Sequence, residues 1–495
     1  MISVGIATNS LETIMTSNAK RNANYPVNKY LEGNYTPVNE ERVVQFEDMK
    51  VIGEMPSDLH GSYVRNGPNN QFQPLGRYHR YDGDGMLHGI YFKDGRATYR
   101  NKWVRTTCFE EEASAGRAQW GGMLDPRRVD RPDMPLKDTA NTDVVMHAGK
   151  LICLWYISGD PYLVDPVTLE PLGMSDFKGN RATKISAHSK TDESTDEFIF
   201  FDYNRDFPYM HHGVVNKKGE MIAFTPVELP GPRMPHDMWI TRKHTILHDL
   251  PLIWDEEAYK SGRVKLKFEE NWPTRFGVIP RYGGAEEVRW YEFNPCYILH
   301  TINAWEEGDW LHMTGCRIHP NHDAQGNPDL SSITTIMARH GLDARLYAWS
   351  VNLKSGATKE GMIDDKWNGE FPTWNNSTMG THMKYAYCAE INHEPAMNFS
   401  GLIKFDLDTG ASEYYSEGPD YNYSEAPFAP AATATAEDHG YVISFVRNRQ
   451  AEQSEVHIFD AQNISDGPVC KLILPCRVPE GFHATWARGD LMNAQ

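Results

Sequence analysis

Short apolar stretches alternate with turn chemistry along almost the whole chain. In "YFKDGRATY" (91–99), "YLVDPVTLEPL" (162–172), "GVVNKKGEMIA" (213–223), "WSVNLKSGATK" (349–359), "IKFDLDTGASEYY" (403–415) and "HIFDAQNISDGPVCKLIL" (457–474), a strand-like run ends on Asp or Asn. Turn residues follow, and a second run begins. Asx and Gly tolerate the dihedrals of hairpin turns, so each stretch predicts an antiparallel strand pair. The turns recur about every 50 to 70 residues, with one gap between about 223 and 349. That gap holds a further strand-rich block, "VRWYEFNPCYILHTINAWEEGDWLHMTG" (288–315). Seven such units predict an all-β fold, a seven-bladed β-propeller that closes radially and leaves few open sheet edges. Closure also predicts an ordered C-terminus, because the last blade must meet the first.

Two segments break the hairpin pattern. Residues 101–138 and 252–280 mix helix formers with aromatic residues and are long for connections. Insertions of that length in a compact domain are usually functional or disordered, and their aromatic content predicts a helical and loop dome over one face of the propeller. Residues 1–25 carry little hydrophobic periodicity and predict a mobile N-terminal arm, leaving 26–495 as one catalytic domain.

Composition narrows the partners. Apolar residues make up 40% of the chain and aromatics 12%, ample for a large core. The formal net charge is −18 with no Lys/Arg-rich block, which argues against nucleic acid and against a polybasic membrane contact. Runs such as "LICLWYI" are too short to span a bilayer, so membrane contact is peripheral at most. The start lacks the basic and apolar regions of a signal peptide. Seven cysteines without CxxC spacing read as reduced thiols, and a cytoplasmic location is expected.

Among twenty histidines, His188 in "ISAHSK", His236 in "RMPHDMWIT", His300 in "CYILHTINAWE" and His483 in "EGFHATW" each sit at the edge of a strand-like run in a different unit. A propeller axis is where residues from distant blades converge, and neutral imidazole suits Fe, Cu, Zn or Ni. On spacing alone His88, His211, His212, His244 and His248 compete for the same role.

The motifs "YHRYDGDGMLHGIYF" (78–92), "TANTDVVMHAGKLICLWY" (139–156), "SAHSK", "PHDMWIT", "HTINAWEEGD", "GEFPTWN" (369–375), "YSEAPFAP" (423–430) and "GFHATW" occur in the order found in the carotenoid cleavage oxygenases, which the chain resembles from "NKYLEGNYTPV" (28–38) onward. The resemblance implies a seven-bladed propeller with a helical dome and Fe(II) on its axis, bound by His188, His236, His300 and His483. It implies that Glu370 faces His300 and Glu425 faces His483, fixing their tautomers and raising their basicity. Where the family places a third such glutamate, this chain has Tyr156, a neutral phenol expected to hydrogen-bond His236. The nearest downstream carboxylate is Asp160. Thr142 matches a threonine whose methyl crowds one open iron position. The implied reaction is cleavage of a C=C bond by O2 into two carbonyl products, with both electrons drawn from the alkene. The absence of GxGxxG and P-loop patterns agrees, since no reducing coenzyme is required.

An apolar alkene needs an apolar tunnel. The expected lining is Trp103, Phe109, Trp120, Trp155, Tyr203, Phe207 and Phe276. Stilbene-cleaving relatives grip a phenol with a tyrosine and a lysine at places held here by Trp103 and Trp155, and tryptophan cannot supply a lysine's charge. "HDLPLIWD" (248–255) also resembles the carotenoid-cleaving branch. A carotenoid or apocarotenoid is therefore the expected substrate, with stilbenes or phenylpropenoids as the alternative. Two further classes remain: a metal-dependent hydrolase, and a propeller scaffold whose histidines bind no metal.

Overall fold

The computed structural model describes residues 28–179, 184–261, 265–393 and 396–492. The expected arm at 1–25 lies outside them. Seven antiparallel sheets follow one another along the chain as blades. Taking the strand nearest the axis in each, blade 1 presents Ala484–Arg488, blade 2 Asp143–His147, blade 3 Lys190–Asp192 and blade 4 Trp239–Ile240. Blade 5 presents Ile298–Glu307, blade 6 Gly369–Thr373 and blade 7 Phe428–Pro430.

The hairpin signals read as strands for local reasons. Met86–Lys93 pairs with Arg96–Trp103 through Asp94 and Gly95, both at positive φ (51° and 68°), the conformation Asp-Gly turns supply. Strands in the middle of a blade are covered on both faces by neighbouring blades, so they lose the alternation of a half-buried strand. Glu197–Tyr203 is buried at every position. The block at 288–315 straddles a blade boundary: Arg289–Phe293 is the outer strand of blade 4, and Ile298–Glu307 opens blade 5.

The ring closes at two places. The C-terminal strand Ala484–Arg488 pairs with Gly61–Arg65 and completes blade 1, while Lys50–Gly53, near the start of the chain, forms the outer edge of blade 7. Between these strands the chain termini are cross-tied. Asn34 accepts from the Glu480 N–H at 3.0 Å, Asn66 and Phe482 pair at 2.8 Å, and Arg65 reaches Ser424 at 2.5 Å and the Pro479 carbonyl. Gly67 and Gly481 lie back to back: a Cβ on Gly67 would stand 2.6 Å from the Gly481 Cα, which only glycine permits.

Among the described residues, three α-helices interrupt the blades. Helix α1 (Thr107–Ala115) starts where Thr106 accepts the Phe109 N–H at 3.0 Å and stops at Gly116 in the left-handed conformation. Helix α2 (Glu256–Lys260) sits in the loop of the hairpin between Leu252–Trp254 and Leu266–Phe268. Helix α3 (Ser332–Arg339) packs on that hairpin, Thr334 accepting the Phe268 N–H at 2.9 Å. The expected insertion at 252–280 ends earlier than its composition suggests. Thr274–Pro280 is a blade 4 strand, paired on both sides. Among the described residues, no helix is long and apolar enough to cross a membrane.

Candidate metal centre

Four imidazoles meet on the axis. The ring centroid of His188 lies 4.6 Å from that of His236, 4.8 Å from His300 and 4.5 Å from His483. His236 and His300 are 5.1 Å apart, and His300 and His483 4.6 Å. Each is delivered by the start of an inner strand: blade 3, blade 4, blade 5 and blade 1, in that order. His188 adopts a φ of 62°, unfavourable for a residue with a Cβ, at the turn that aims its ring inward. Donor atoms of His188, His300 and His483 lie within 4.8 Å of one another, the grouping a single metal ion requires. Nε2 of His188 and of His300 is buried without a hydrogen-bond partner. Orphaned buried nitrogens of this kind are costly unless something coordinates them. Burial, reinforced by the neighbouring imidazoles, pushes His188, His236 and His300 well below the ordinary imidazole value and keeps them neutral, the form that ligates a metal. The residues present therefore fit a metal ion.

Carboxylates stand behind the rings. His300 Nδ1 is 2.5 Å from Glu370 in blade 6, and His483 Nδ1 is 3.0 Å from Glu425 just before the inner strand of blade 7. These are the partners the motifs imply. Glu425 also accepts the Ala484 N–H, so it holds both the ring and the strand that carries it. Burial opposes charge on His483, but Glu425, with Asp143 and Asp237, leaves that ring above its ordinary value. Phe371 stacks on His483, centroids 4.3 Å apart, at a φ of 54° next to Glu370.

Tyr156 departs from expectation. Its ring lies beside His236, centroids 6.5 Å apart, but its hydroxyl donates to the Met123 sulfur at 3.4 Å rather than to the imidazole. The backbone explains this. The Tyr156 N–H bonds Thr142 Oγ1 at 3.2 Å and its carbonyl accepts from Tyr203 at 2.5 Å, so the long phenol is carried past His236. Asp160 is engaged by Lys184 at 2.7 Å. Thr142 is buried against His483, its carbonyl accepting the His483 N–H at 3.3 Å.

The competing histidines have other partners. His88 meets the Tyr99 hydroxyl at 2.9 Å, His211 meets Asp202 at 3.0 Å, His212 the Arg281 carbonyl at 3.0 Å and His244 meets Glu306 at 2.8 Å. His248 is buried between Trp239 and Phe276.

The expected tunnel residues do not form one lining. Trp155 borders a small cavity with Tyr81, Met123 and Tyr156, and Tyr203 supports Tyr156 from behind. Trp103, Phe109 and Trp120 pack within the insertion around α1, where the Trp120 indole N–H bonds the Met134 carbonyl at 3.2 Å. Phe276 is wedged between Trp239 and Trp349 in the core because its segment is a blade strand, and Phe207 is exposed. A cavity of about 130 Å³ opens instead onto His188, His300 and His483. Its walls are polar and apolar in equal measure, with Asp143, Asp237, Glu425 and Lys190 among the polar residues.

Two of these residues escaped the sequence. Asp237 accepts from Lys190 at 2.7 Å and from the Thr301 N–H and hydroxyl at 2.8 and 2.9 Å. It thus ties together the strands that carry His188, His236 and His300. Asp143 accepts the His188 N–H at 3.0 Å. Asp237 is adjacent to His236 in sequence, which is the one signal that could have raised it; for Asp143 there was only its place beside Thr142.

A seven-bladed propeller with four imidazoles gathered at its axis, two of them hydrogen-bonded to buried carboxylates, is an arrangement that could hold a metal ion. Comparison with known proteins supplies the class. The family model described as retinal pigment epithelial membrane protein (RPE65) matches residues 35–488. The chain is 33% identical to carotenoid 9,10(9',10')-cleavage dioxygenase 1 of Pisum sativum, over 94% of this chain and 91% of that one. It is 30% identical to a carotenoid cleavage oxygenase of Mycobacterium tuberculosis, over 93% and 97%. The crystal structure of Pseudomonas brassicacearum lignostilbene dioxygenase superposes with a TM-score of 0.82 at 26% identity, covering 94% of this chain and 99% of that one. The chain belongs to the RPE65 family, the carotenoid cleavage oxygenases.

Proposed function

We propose that the chain is a non-haem Fe(II) dioxygenase that cleaves one C=C bond of a carotenoid or apocarotenoid with O2, giving two carbonyl products. The observation that carries this reading is the convergence of His188, His236, His300 and His483 from four blades, with Glu370 and Glu425 behind two of them. Fe(II) held there would supply the activation of O2 beside the alkene. Both oxygen atoms and all electrons balance between O2 and the alkene, so no external reductant is needed. The protein's part is to keep the imidazoles neutral and oriented, and to exclude bulk water from a buried site. Thr142, whose carbonyl accepts the His483 N–H, would restrict access on that side. As ligands the four imidazoles would each be neutral and bring no charge, so the buried carboxylates would be the anions that balance the metal. The free thiols, six of them buried, fit a reducing, cytoplasmic setting.

A second reading, the same chemistry on a stilbene or phenylpropenoid, is favoured by one observation. The wall beside His236 is rich in tyrosine, with Tyr81 5.1 Å from Tyr156 and Tyr203 bonded to the Tyr156 carbonyl. The test is anaerobic loading with Fe(II), then aerobic incubation with an apocarotenal and separately with a hydroxystilbene, without reductant. Consumption of the apocarotenal, with one O2 taken up per pair of carbonyl products, is the expected result. Cleavage of the stilbene alone would overturn the substrate assignment, and cleavage of neither would overturn the activity.

A further inference from the structure

Carboxylates reach the axial rings by a regular rule: each comes from the blade next to its histidine. Glu370 of blade 6 faces His300 of blade 5, and Glu425 of blade 7 faces His483 of blade 1. Blade 2 repeats the arrangement. Asp143, at the start of its inner strand, places Oδ2 3.6 Å from Nδ1 of His188 in blade 3. The same oxygen accepts the His188 backbone N–H at 3.0 Å, while Oδ1 accepts the Val144 N–H at 2.8 Å. The carboxylate is therefore fixed in orientation and nearly sealed from solvent, at 7% exposure. At 3.6 Å from a ring that burial keeps neutral it is neither a hydrogen-bond acceptor nor an ion-pair partner, and it would act through its charge on a metal-bound His188.

Among the described residues, His236 has no such carboxylate behind its ring. The Tyr156 hydroxyl turns to Met123, and the carboxylate of Asp237 is occupied by Lys190, Thr301 and the Met238 N–H. The three imidazoles backed by a carboxylate are also the three whose donor atoms fall within 4.8 Å of one another, and His236 is outside that group. The charge behind the rings and the grouping of donor atoms thus select the same three residues, although the His236 ring lies as near His188, at 4.6 Å, as the others do.

We infer that Asp143 is the third carboxylate of the metal centre, a positioning residue that makes His188 a strong ligand. On this assignment His188, His300 and His483 form the tight trio and His236 is the weak fourth ligand. It rests on the metal-centre reading above. The site keeps three anions around the metal although Tyr156 supplies none, because the charge has moved from the His236 side of the ring to the His188 side.

The test is anaerobic titration of the apoprotein with Co(II) and with Fe(II) against a chromophoric chelator, together with the Co(II) ligand-field spectrum. Asp143→Asn can keep an oxygen for the His188 N–H, but it removes the charge and the acceptor for the Val144 N–H together. It is expected to weaken metal binding by about 10–100-fold and to shift the Co(II) bands, with the melting temperature of the apoprotein lowered only as far as the loss of one backbone hydrogen bond requires. His236→Ala is expected to weaken binding less than His188→Ala does. Should Asp143→Asn not fold, this second comparison decides. Metal affinity and Co(II) bands in Asp143→Asn indistinguishable from the unmodified protein, or a His236→Ala loss equal to that of His188→Ala, would overturn the assignment while leaving the metal centre intact. An unmodified protein that takes up no metal would overturn the centre and this assignment together.

Discussion

At Tyr156 a phenol stands where the family motif places a carboxylate, and its hydroxyl ends on a thioether sulfur, a weak acceptor. Removing that hydroxyl deletes one weak hydrogen bond and leaves the ring contacts with Tyr81 and His236 in place. Tyr156→Phe is therefore expected to change stability by no more than about 1 kcal/mol and metal content not at all, as read by thermal melting and metal analysis. A loss of metal in this variant would mean that the hydroxyl turns to His236 when the ion is bound. Glu370 and Glu425 were legible because each lies in a motif whose ring partner lies in another. Asp143 was not, although it lies inside "TANTDVVMH". Nothing in a linear string says that the first residue of one inner strand faces a histidine in the next blade, and only the ring geometry brings them together. The direction of a phenol was equally unreadable, since the Thr142 and Tyr203 contacts that aim it are 14 and 47 residues away.

Among the elements, blade 4 carries an unusual core. His248 is fully buried against Trp239 and Phe276, and neither ring nitrogen has a hydrogen-bond partner. Burial, with Lys190 adding a smaller effect, pushes it down to about 3. The unfolded chain takes up this proton near 6.5 and the folded one does not. His248 thus contributes nothing adverse above about pH 6.5, and stability is lost as the pH falls from there toward about 3, at about 1.4 kcal/mol per pH unit. His248→Phe should flatten that slope. Whatever strain the larger ring adds is the same at every pH, so the quantity to measure is the difference in urea midpoint between variant and unmodified protein at pH 8 and at pH 5. The difference is expected to move in the variant's favour on acidification; a difference independent of pH would mean that water reaches the imidazole. Blade 4 is also where element boundaries were hardest to read. The hairpin 252–268 and the strand 274–280 share an aromatic, charged composition, and only pairing on both sides marks the second as a blade strand. Helix α3 went unread because eight residues between strands leave too short a periodicity to stand out.

For the whole molecule, six of the seven blades were legible from turn chemistry, and the seventh was reached by counting the block 288–315, which straddles blades 4 and 5. The need for an ordered C-terminus followed from closure, but two functions coincide there: Ala484–Arg488 supplies the inner strand of blade 1, and His483 just before it enters the metal centre. These can be separated. His483→Ala removes a ligand and leaves the five-residue ladder from Gly61↔Arg488 to Arg65↔Ala484 intact. Truncation before Pro479 removes both, strips the partner from Gly61–Arg65, and exposes an edge in a ring that otherwise hides its edges. A metal present at a hundredfold excess over its Kd stabilises the fold by about 2.7 kcal/mol. His483→Ala is therefore expected to match the unmodified protein in melting temperature without metal, and to lose the increase that Fe(II) or Co(II) confers. The truncated chain is expected to melt far lower in both conditions or to aggregate on expression. If His483→Ala alone lowers the metal-free melting temperature as much as truncation does, then the Glu425–His483 contact, and not the strand, is what closes the ring.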